Sequence, residues 1–226
     1  DEPTSSNNRS DYKGNNNLAT NSTITRVGGV REVAANFTRS RLQHLNISDN
    51  TDLSTGDIDY TIAAWVWLDS KPANDMDIVT KFQPSGSQRE YMLQWGTAAY
   101  WFRFYVSGDG VGDTTVPATN AGAPSTGTWY FIVAWHDSVA NTINISVDGI
   151  VNGTPHTTGS FDSTASFRIG GGRNALDDWD GRIDEVGFWK RLLTQKERRI
   201  LYNGTNESSN NYLAGNTYKP YKGNFT

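Results

Sequence analysis

The chain has 226 residues, no cysteine and a net charge of −4, and charged residues make up only 19% of it. This length fits one large domain, and the lack of cysteine excludes disulfides and thiolate metal sites. The acidic balance, with a pI near 5.3, argues against a nucleic-acid or an anionic-membrane surface. No apolar run reaches membrane-spanning length, so membrane insertion is not expected.

Both ends of the chain differ from its middle. Residues 1–23 are polar and too poor in apolar side chains to fold alone. Residues 205–226 are similarly polar, but large side chains are spread through them. The sequence therefore predicts two arms that flank one domain at 24–204. The anchors of the C-terminal arm are Tyr212, Leu213, Tyr218, Tyr221 and Phe225.

Within the domain, aromatic and β-branched segments recur every 10–15 residues and are separated by turn-forming residues, which predicts many short strands. The Asp148-Gly149 pair is typical of a hairpin turn. No alternation of strands and helices is present, so two packed antiparallel sheets are expected. The predicted strands are 58–68, 76–83, 89–95, 99–106, 128–137, 142–148, 165–170 and 182–190.

The strand at 58–68 is apolar on both of its faces. Ile62, Ala64 and Val66 fill one face, while Trp65 and Trp67 lie on the other. This pattern predicts a strand in the middle of a sheet, with something covering both sides.

The segment GRIDEVGFWKRLLTQKERRILYNG begins as a strand and ends as a helix. Strict alternation along the strand would put Asp184 and Glu185 on opposite faces, so they would not act as one catalytic dyad. Thr194 and Glu197 have the spacing of a capping box, which predicts the start of the helix. Asn203, followed by glycine, predicts its end.

Together these motifs resemble a known family. The run IGGG…DWDGRIDEVGFWKRLLTQKERRILYNG resembles the C-terminal signature of laminin-G-like domains of the concanavalin A-like jelly-roll superfamily. The segments VAANFTRSRLQHLNI, DIDYTIAAWVWLD and TGTWYFIVAWHDSVANTINISVDG resemble the family's earlier strands in the same order, so the resemblance covers about residues 30–204. It implies an all-β, two-sheet antiparallel jelly-roll sandwich with one short C-terminal helix. Where family members often have Phe-Asp-Gly, this chain has Phe37-Thr38-Arg39, which removes one possible calcium ligand.

Catalysis is not expected. Glycan hydrolysis on this fold needs two carboxyl groups flanking the scissile bond, and the six glutamates include no two spaced to share a strand face. The three histidines are scattered, and the zinc-protease and serine-hydrolase motifs are absent.

Calcium is a candidate structural ion, because loops rich in aspartate provide the oxygen ligands it prefers. The candidate ligands are Asp184, Asp109 and Asp113. The alternative is that Asp and Gly in these loops simply form turns, and that Asp184 pairs with Arg182 or a neighbouring strand.

Aromatic side chains that stack on sugars are the candidate ligand-binding residues. The candidates are Trp179, Trp101 and Tyr105, although most of the eight tryptophans are expected in the core because of their large apolar area.

Sequons for N-glycosylation occur nine times, at Asn8, Asn21, Asn36, Asn46, Asn144, Asn152, Asn203, Asn206 and Asn224. Glycans are expected at the predicted arm and turn sites, and they indicate an extracellular location or a cell or virion surface. These sites are Asn8, Asn21, Asn152, Asn203 and Asn206.

Two functions are compatible with this sequence. The first is a non-catalytic structural subunit of a surface assembly, such as a filament, surface layer or virion coat, in which the arms bind other copies of the chain. The second is a glycan-binding or adhesion module of a secreted or cell-surface protein. The arms favour the first, because polar tails of this kind become ordered only against a partner.

Overall fold

The computed structural model describes residues 8–11, 13, 15–172, 174 and 176–203. In this part of the chain there are fifteen β-strands and one α-helix, α1, at Gln195–Asn203. The strands are β1 Asn8–Arg9, β2 Leu18–Thr20, β3 Thr25–Gly28, β4 Val33–Phe37, β5 Leu45–Ile47, β6 Tyr60–Leu68, β7 Met76–Gln83, β8 Gln88–Trp95, β9 Phe102–Val106, β10 Thr114–Pro117, β11 Trp129–Asp137, β12 Thr142–Val147, β13 Ile150–Pro155, β14 Phe167–Ile169 and β15 Gly181–Trp189.

The strands form two antiparallel sheets. The eight-stranded sheet has the order β1-β2-β5-β14-β7-β8-β9-β10, and the seven-stranded sheet has the order β13-β12-β11-β6-β15-β4-β3. Neighbouring strands are often far apart in sequence, as in a jelly roll, and the predicted two-sheet sandwich is confirmed. The predicted hairpin at Asp148-Gly149 is also present, because β12 pairs with β13 across it.

Apolar side chains from both sheets meet in one core. From β6, Ile62, Ala64, Val66 and Leu68 face inward, and all four are fully buried. Burial of this kind is the main force that holds two sheets together. The central position predicted for this strand is confirmed, since β6 pairs with β11 on one side and β15 on the other.

The outer face of the seven-stranded sheet carries a second, smaller apolar cluster. Ala63, Trp65, Phe131 and Val133 form its buried part, and α1 packs against it through Leu201 and Tyr202. The helix therefore covers this part of the sheet, as the apolar second face of β6 predicts.

The start of α1 is the predicted capping box. The hydroxyl of Thr194 accepts the Glu197 N–H at 3.2 Å, and the Glu197 carboxylate accepts the Thr194 N–H at 2.7 Å. Arg191 pairs with the same carboxylate at 2.7 Å. These contacts hold the pKa of Glu197 down at about 2, chiefly through Arg191. Among the described residues, no helix is long and apolar enough to cross a membrane.

A β-bulge changes the predicted alternation along β15. Its pairing with β6 shifts between Asp184 and Gly187, and Glu185 has a positive φ of 50°. Asp184 lies opposite Trp65 on the outer face, whereas Phe188 packs into the inner core. Strict alternation along the strand, as expected from sequence, would put Asp184 and Phe188 on one face; this expectation was wrong, because the bulge inserts one extra residue between them.

The N-terminal segment adds to the eight-stranded sheet. β1 pairs with β2, and β2 pairs with β5 at the sheet's edge. Part of the predicted arm at 1–23 therefore continues the sandwich. The C-terminal arm, including Tyr212, Leu213, Tyr218, Tyr221 and Phe225, lies outside the described residues.

Candidate functional site

The outward face of the eight-stranded sheet carries a row of side chains across four strands. Tyr105 on β9 lies opposite Met92 on β8, Met92 lies opposite Thr80 on β7, and Thr80 lies opposite Arg168 on β14. Directly opposite residues of antiparallel strands share a face. None of the four belongs to the inner core, which instead contains their strand neighbours Phe104, Leu93, Val79 and Ile169.

A second row runs beside the first. Asp77, Gln94 and Arg103 lie opposite one another on β7, β8 and β9. The Gln94 amide donates to the Asp77 carboxylate at 2.9 Å, and both residues are buried. Arg103 donates to the Tyr105 hydroxyl at 3.3 Å. The face thus has a buried polar floor and half-buried, larger side chains above it.

The polar atoms of this face that are buried without a hydrogen-bond partner in the described part of the chain include three on Thr80, Gln94 and Arg168. They are the Thr80 hydroxyl oxygen, the Gln94 side-chain carbonyl oxygen and the Arg168 Nε. Buried polar groups are almost always paired, with protein, water or ligand. These atoms therefore identify the part of the face whose hydrogen-bonding capacity the described residues leave unused.

One end of the face is rich in ionisable groups. Burial and the nearby Arg168 guanidinium lower the pKa of His44, which keeps its ring neutral at neutral pH. Burial raises the pKa of Asp178 to about 6. A Cβ at Gly172 would come within 2.8 Å of the Arg168 side chain, so the chain needs glycine where it passes this close.

The structure places the three sugar-binding residues predicted from sequence in different environments. Trp179 is fully buried in the inner core, so the prediction that it lies on an exposed sugar platform was wrong. Its loop folds back onto the sheet, and the backbone N–H of Trp179 donates to the Gly170 carbonyl at 2.9 Å. Trp101 is half-buried just before β9. Of the three predicted residues, Tyr105 lies on the polar face.

Sequence reasoning missed Thr80, Gln94 and Arg168. Each is a polar residue next to buried apolar residues of its strand, in IVTKF, YMLQW and SFRI. Such a residue, outward-facing in a strand whose neighbours are buried, is the signal that could have identified this face.

The three predicted calcium ligands have three different hydrogen-bonding roles. Asp184 accepts the backbone N–H groups of Val30 at 2.8 Å and of Arg31 at 3.0 Å. Asp109 accepts two backbone N–H groups within its own loop, and Asp113 forms an ion pair with Arg89 at 3.1 Å. Among the described residues, no group of three or more His, Asp or Glu side chains is placed to hold a metal ion. Calcium binding stays a prediction.

Three of the described glutamates have separate structural roles. Glu90 is fully buried against Lys81, and Glu185 pairs with Arg31 at 3.2 Å. Glu197 caps α1. These three carboxylates therefore lie in different parts of the fold and do not form a pair.

Two of the predicted glycosylation sites have side chains engaged in hydrogen bonds. The Asn21 amide donates to the Leu42 carbonyl at 2.6 Å, and the Asn152 amide donates to the Thr119 hydroxyl at 2.8 Å. Asn203 is the last residue of α1. Asn8 lies in β1, and Asn206 lies outside the described residues. Glycosylation at these five positions stays a prediction.

Comparison with protein families identifies the fold. The profile of a laminin-G-like family, described as the concanavalin A-like lectin/glucanases superfamily, matches residues 39–197. The chain belongs to this superfamily. No curated protein matches the sequence.

Solved structures with the same fold share little sequence with this chain. The binding domain of Paraclostridial Mosquitocidal Protein 1 superimposes with a TM-score of 0.71 at 13% identity, covering 88% of this chain and 50% of that one. Domain 4 of an extracellular arabinanase from Geobacillus stearothermophilus, in complex with arabinotriose, gives 0.58 at 14% identity over 78% and 80%. A putative carbohydrate-binding protein from Bacteroides ovatus gives 0.56 at 19% identity over 80% and 48%. The chain thus spans half the length of the mosquitocidal binding domain.

Proposed function

We propose that this member of the concanavalin A-like superfamily is a non-catalytic glycan-binding module whose ligand lies on the outward face of the eight-stranded sheet. The observation that carries the proposal is the set of three buried, unpartnered polar atoms on Thr80, Gln94 and Arg168. The half-buried ring of Tyr105 lies on the same face, in the same row as Thr80 and Arg168 and separated from Thr80 by Met92.

The chemistry of this face suits a sugar. Arg168 can only donate hydrogen bonds, the free Gln94 oxygen can only accept them, and Thr80 can do both. Sugar hydroxyls also donate and accept, so one ligand can satisfy all three. The Tyr105 ring adds an apolar surface with a polar tip, which suits the mixed character of a pyranose. Binding sites commonly combine such a surface with a few placed polar groups.

The structural neighbours support a recognition role over a purely structural one. One neighbouring structure contains arabinotriose, and another is that of a putative carbohydrate-binding protein. A third is a botulinum neurotoxin binding domain in complex with SialylT. The structural-subunit hypothesis rests on the C-terminal arm, which lies outside the described residues. Glycan recognition is therefore our first proposal, and assembly through the arms is the second.

The absence of catalysis is part of this proposal. Glycoside hydrolysis needs an acid and a second carboxylate on either side of the bond. On the polar face, the Asp77 carboxylate is already bound by Gln94, and Glu90, Glu185 and Glu197 have roles elsewhere. Release of reducing ends from β-glucan, galactan or chitin should stay at background.

An extracellular or cell-surface location follows from the same proposal, since that is where a glycan-binding module meets its ligands. The sequons and the membership of a laminin-G-like family support it.

The proposal is tested by screening the full chain on a glycan array and measuring the affinity for the best ligand by calorimetry. Thr80→Val and Tyr105→Ala should each weaken binding at least tenfold with little change in melting temperature. Ser146→Ala is the matched control, because it removes a buried, unpartnered hydroxyl from the other sheet. Equal affinity in all four proteins, or no ligand on the array, would refute the proposal.

A further inference from the structure

The outer face of the seven-stranded sheet ends in two half-buried tryptophans. Trp67 on β6 lies opposite Trp129 on β11, with ring centroids 5.8 Å apart and planes at 61°. The indole N–H of Trp67 donates to the Asp69 carboxylate at 2.8 Å, and the Arg182 guanidinium lies 4.8 Å from the Trp67 ring centroid. We call Trp67 and Trp129 the indole pair. Its rings are held by these contacts and remain part-exposed, whereas α1 covers the neighbouring cluster around Trp65 and Phe131.

Helix α1 runs toward the indole pair. Near its middle, the Arg198 guanidinium lies 4.1 Å from the Trp135 ring centroid. One turn later, Tyr202 lies 5.8 Å from Phe131. The outward positions of β11 in that direction are Trp135, Val133, Phe131 and Trp129. The helix therefore leaves the sheet with its C-terminal end pointing to the uncovered tryptophans.

The distance is short for the chain that follows. Trp129 lies two residues from Phe131 along β11, which corresponds to about 7 Å. Tyr212 lies ten residues beyond Tyr202, and an extended chain of that length spans about 33 Å. The residues after α1 can therefore reach the indole pair even if they do not take the shortest path.

The sequence after α1 also has side chains suited to this surface. Five large apolar or aromatic residues occur within residues 204–226, and Tyr212 and Leu213 come first. Part-exposed indole rings gain contact area and lose unfavourable hydration when such side chains cover them. The direction of α1 and the composition of residues 204–226 thus both favour this segment as the one that covers the indole pair.

We propose that residues 204–226 return along the outer face of the chain's own seven-stranded sheet, and that Tyr212 and Leu213 cover the indole pair. The sequence alone predicted that this segment binds a neighbouring copy. The direction of α1 favours the same chain, since it already brings the segment to this face. The indole pair lies on the seven-stranded sheet, whereas the proposed glycan face lies on the eight-stranded sheet. A negative result for the position of residues 204–226 therefore leaves the proposal of glycan binding untouched, and the reverse also holds.

Disulfide trapping tests the proposal in the full-length protein, which has no native cysteine to interfere. One variant carries Thr128→Cys, next to Trp129, together with Ala214→Cys, next to Leu213. The matched control combines Ala214→Cys with Val139→Cys. Val139 is 85% exposed and lies in the turn that follows the opposite end of β11. Under mild oxidation at low protein concentration, the Thr128 variant should form an intramolecular disulfide at least tenfold faster than the control.

A further variant separates anchoring from chance encounter. Adding Tyr212→Ser and Leu213→Ser to the Thr128 variant should slow disulfide formation at least fivefold, because the anchors are lost while the tether is unchanged. Equal rates in the Thr128 and Val139 variants would overturn the proposal. Disulfides that form only between two chains would also overturn it and would place the segment on a neighbouring copy.

Discussion

The ammonium group of Lys81 lies 2.7 Å from the carboxylate of Glu90, and both side chains are fully buried. Both charged groups make further contacts with neighbouring residues. Glu90 accepts the N–H groups of Thr55 at 2.7 Å and of Ser163 at 3.0 Å, and Asp49 lies 2.9 Å from the ammonium. Two loops are thereby fastened to the β7–β8 hairpin by one charged centre.

Removing one partner of this centre should destabilise the protein strongly. Glu90→Gln leaves a buried ammonium without its main counter-charge, which typically costs about 3–5 kcal/mol. Chemical denaturation at neutral pH measures the loss. The double variant Lys81→Met with Glu90→Gln should recover much of it, because no charge is then buried alone and the glutamine oxygen can still accept one of the N–H groups of Thr55 and Ser163. A loss below about 1 kcal/mol for Glu90→Gln would show that the pair contributes little.

Asp148 should make stability depend on pH near neutrality. Burial raises its pKa to about 6, and the N–H of Phe131 only partly opposes this. A carboxyl whose folded-state pKa lies above its unfolded value of about 3.9 is favourable when protonated, so its contribution is present below pH 4 and lost as the pH rises through 6. At pH 7.5 the buried charge therefore costs stability.

Asp148→Asn removes that cost. Asparagine keeps an acceptor for Phe131 and suits the positive φ of 49° at the first position of this turn. We expect a gain of about 1 kcal/mol at pH 7.5 and a smaller one at pH 4. Melting curves of the two proteins over this range provide the measurement, and the difference cancels other titrating groups. A gain that grows as the pH falls would contradict the argument.

The strands and the helix could be predicted because their signals are local. The predicted strand at 76–83 has the bounds of β7, and the Thr194–Glu197 capping box forms as expected. The bulge at Glu185 could not be predicted, because the alternation of apolar residues in GRIDEVGFW fits an unbroken strand equally well. The register shift in the pairing of β15 with β6 and the positive φ of Glu185 reveal it.

The polar face was harder to find from sequence than the fold. Thr80 and Gln94 come from the β7–β8 hairpin, but Arg168 comes from β14, which is distant in sequence, and only the sheet order places it beside Thr80. Trp179 was misplaced for a related reason. Its acidic neighbours indicate an exposed loop, but the loop returns to the sheet and inserts the ring into the core.

The two tryptophans named from sequence should therefore respond differently to truncation. Trp179→Ala empties a large, fully buried site and should cost about 3–5 kcal/mol. Trp101→Ala removes a half-buried ring and should cost about 1 kcal/mol. Urea denaturation of both variants checks the contrast. Similar losses in the two proteins would contradict the placement of Trp179.

Asp184 should stabilise the turn between β3 and β4 without a metal ion. Its carboxylate accepts the N–H groups of Val30 and Arg31 from that turn and of Glu185 from its own strand, which occupies both oxygens. Asp184→Ala leaves buried donors unpaired and should cost about 1–3 kcal/mol. Because the role is hydrogen bonding, the loss should be equal in chelator and in millimolar calcium. If calcium instead raises the melting temperature of the native chain and Asp184→Ala abolishes that rise, Asp184 is a calcium ligand and its contacts with the turn are secondary. Asp113→Ala is the control, since its carboxylate pairs with Arg89 and its removal should cost less than about 1 kcal/mol under both conditions.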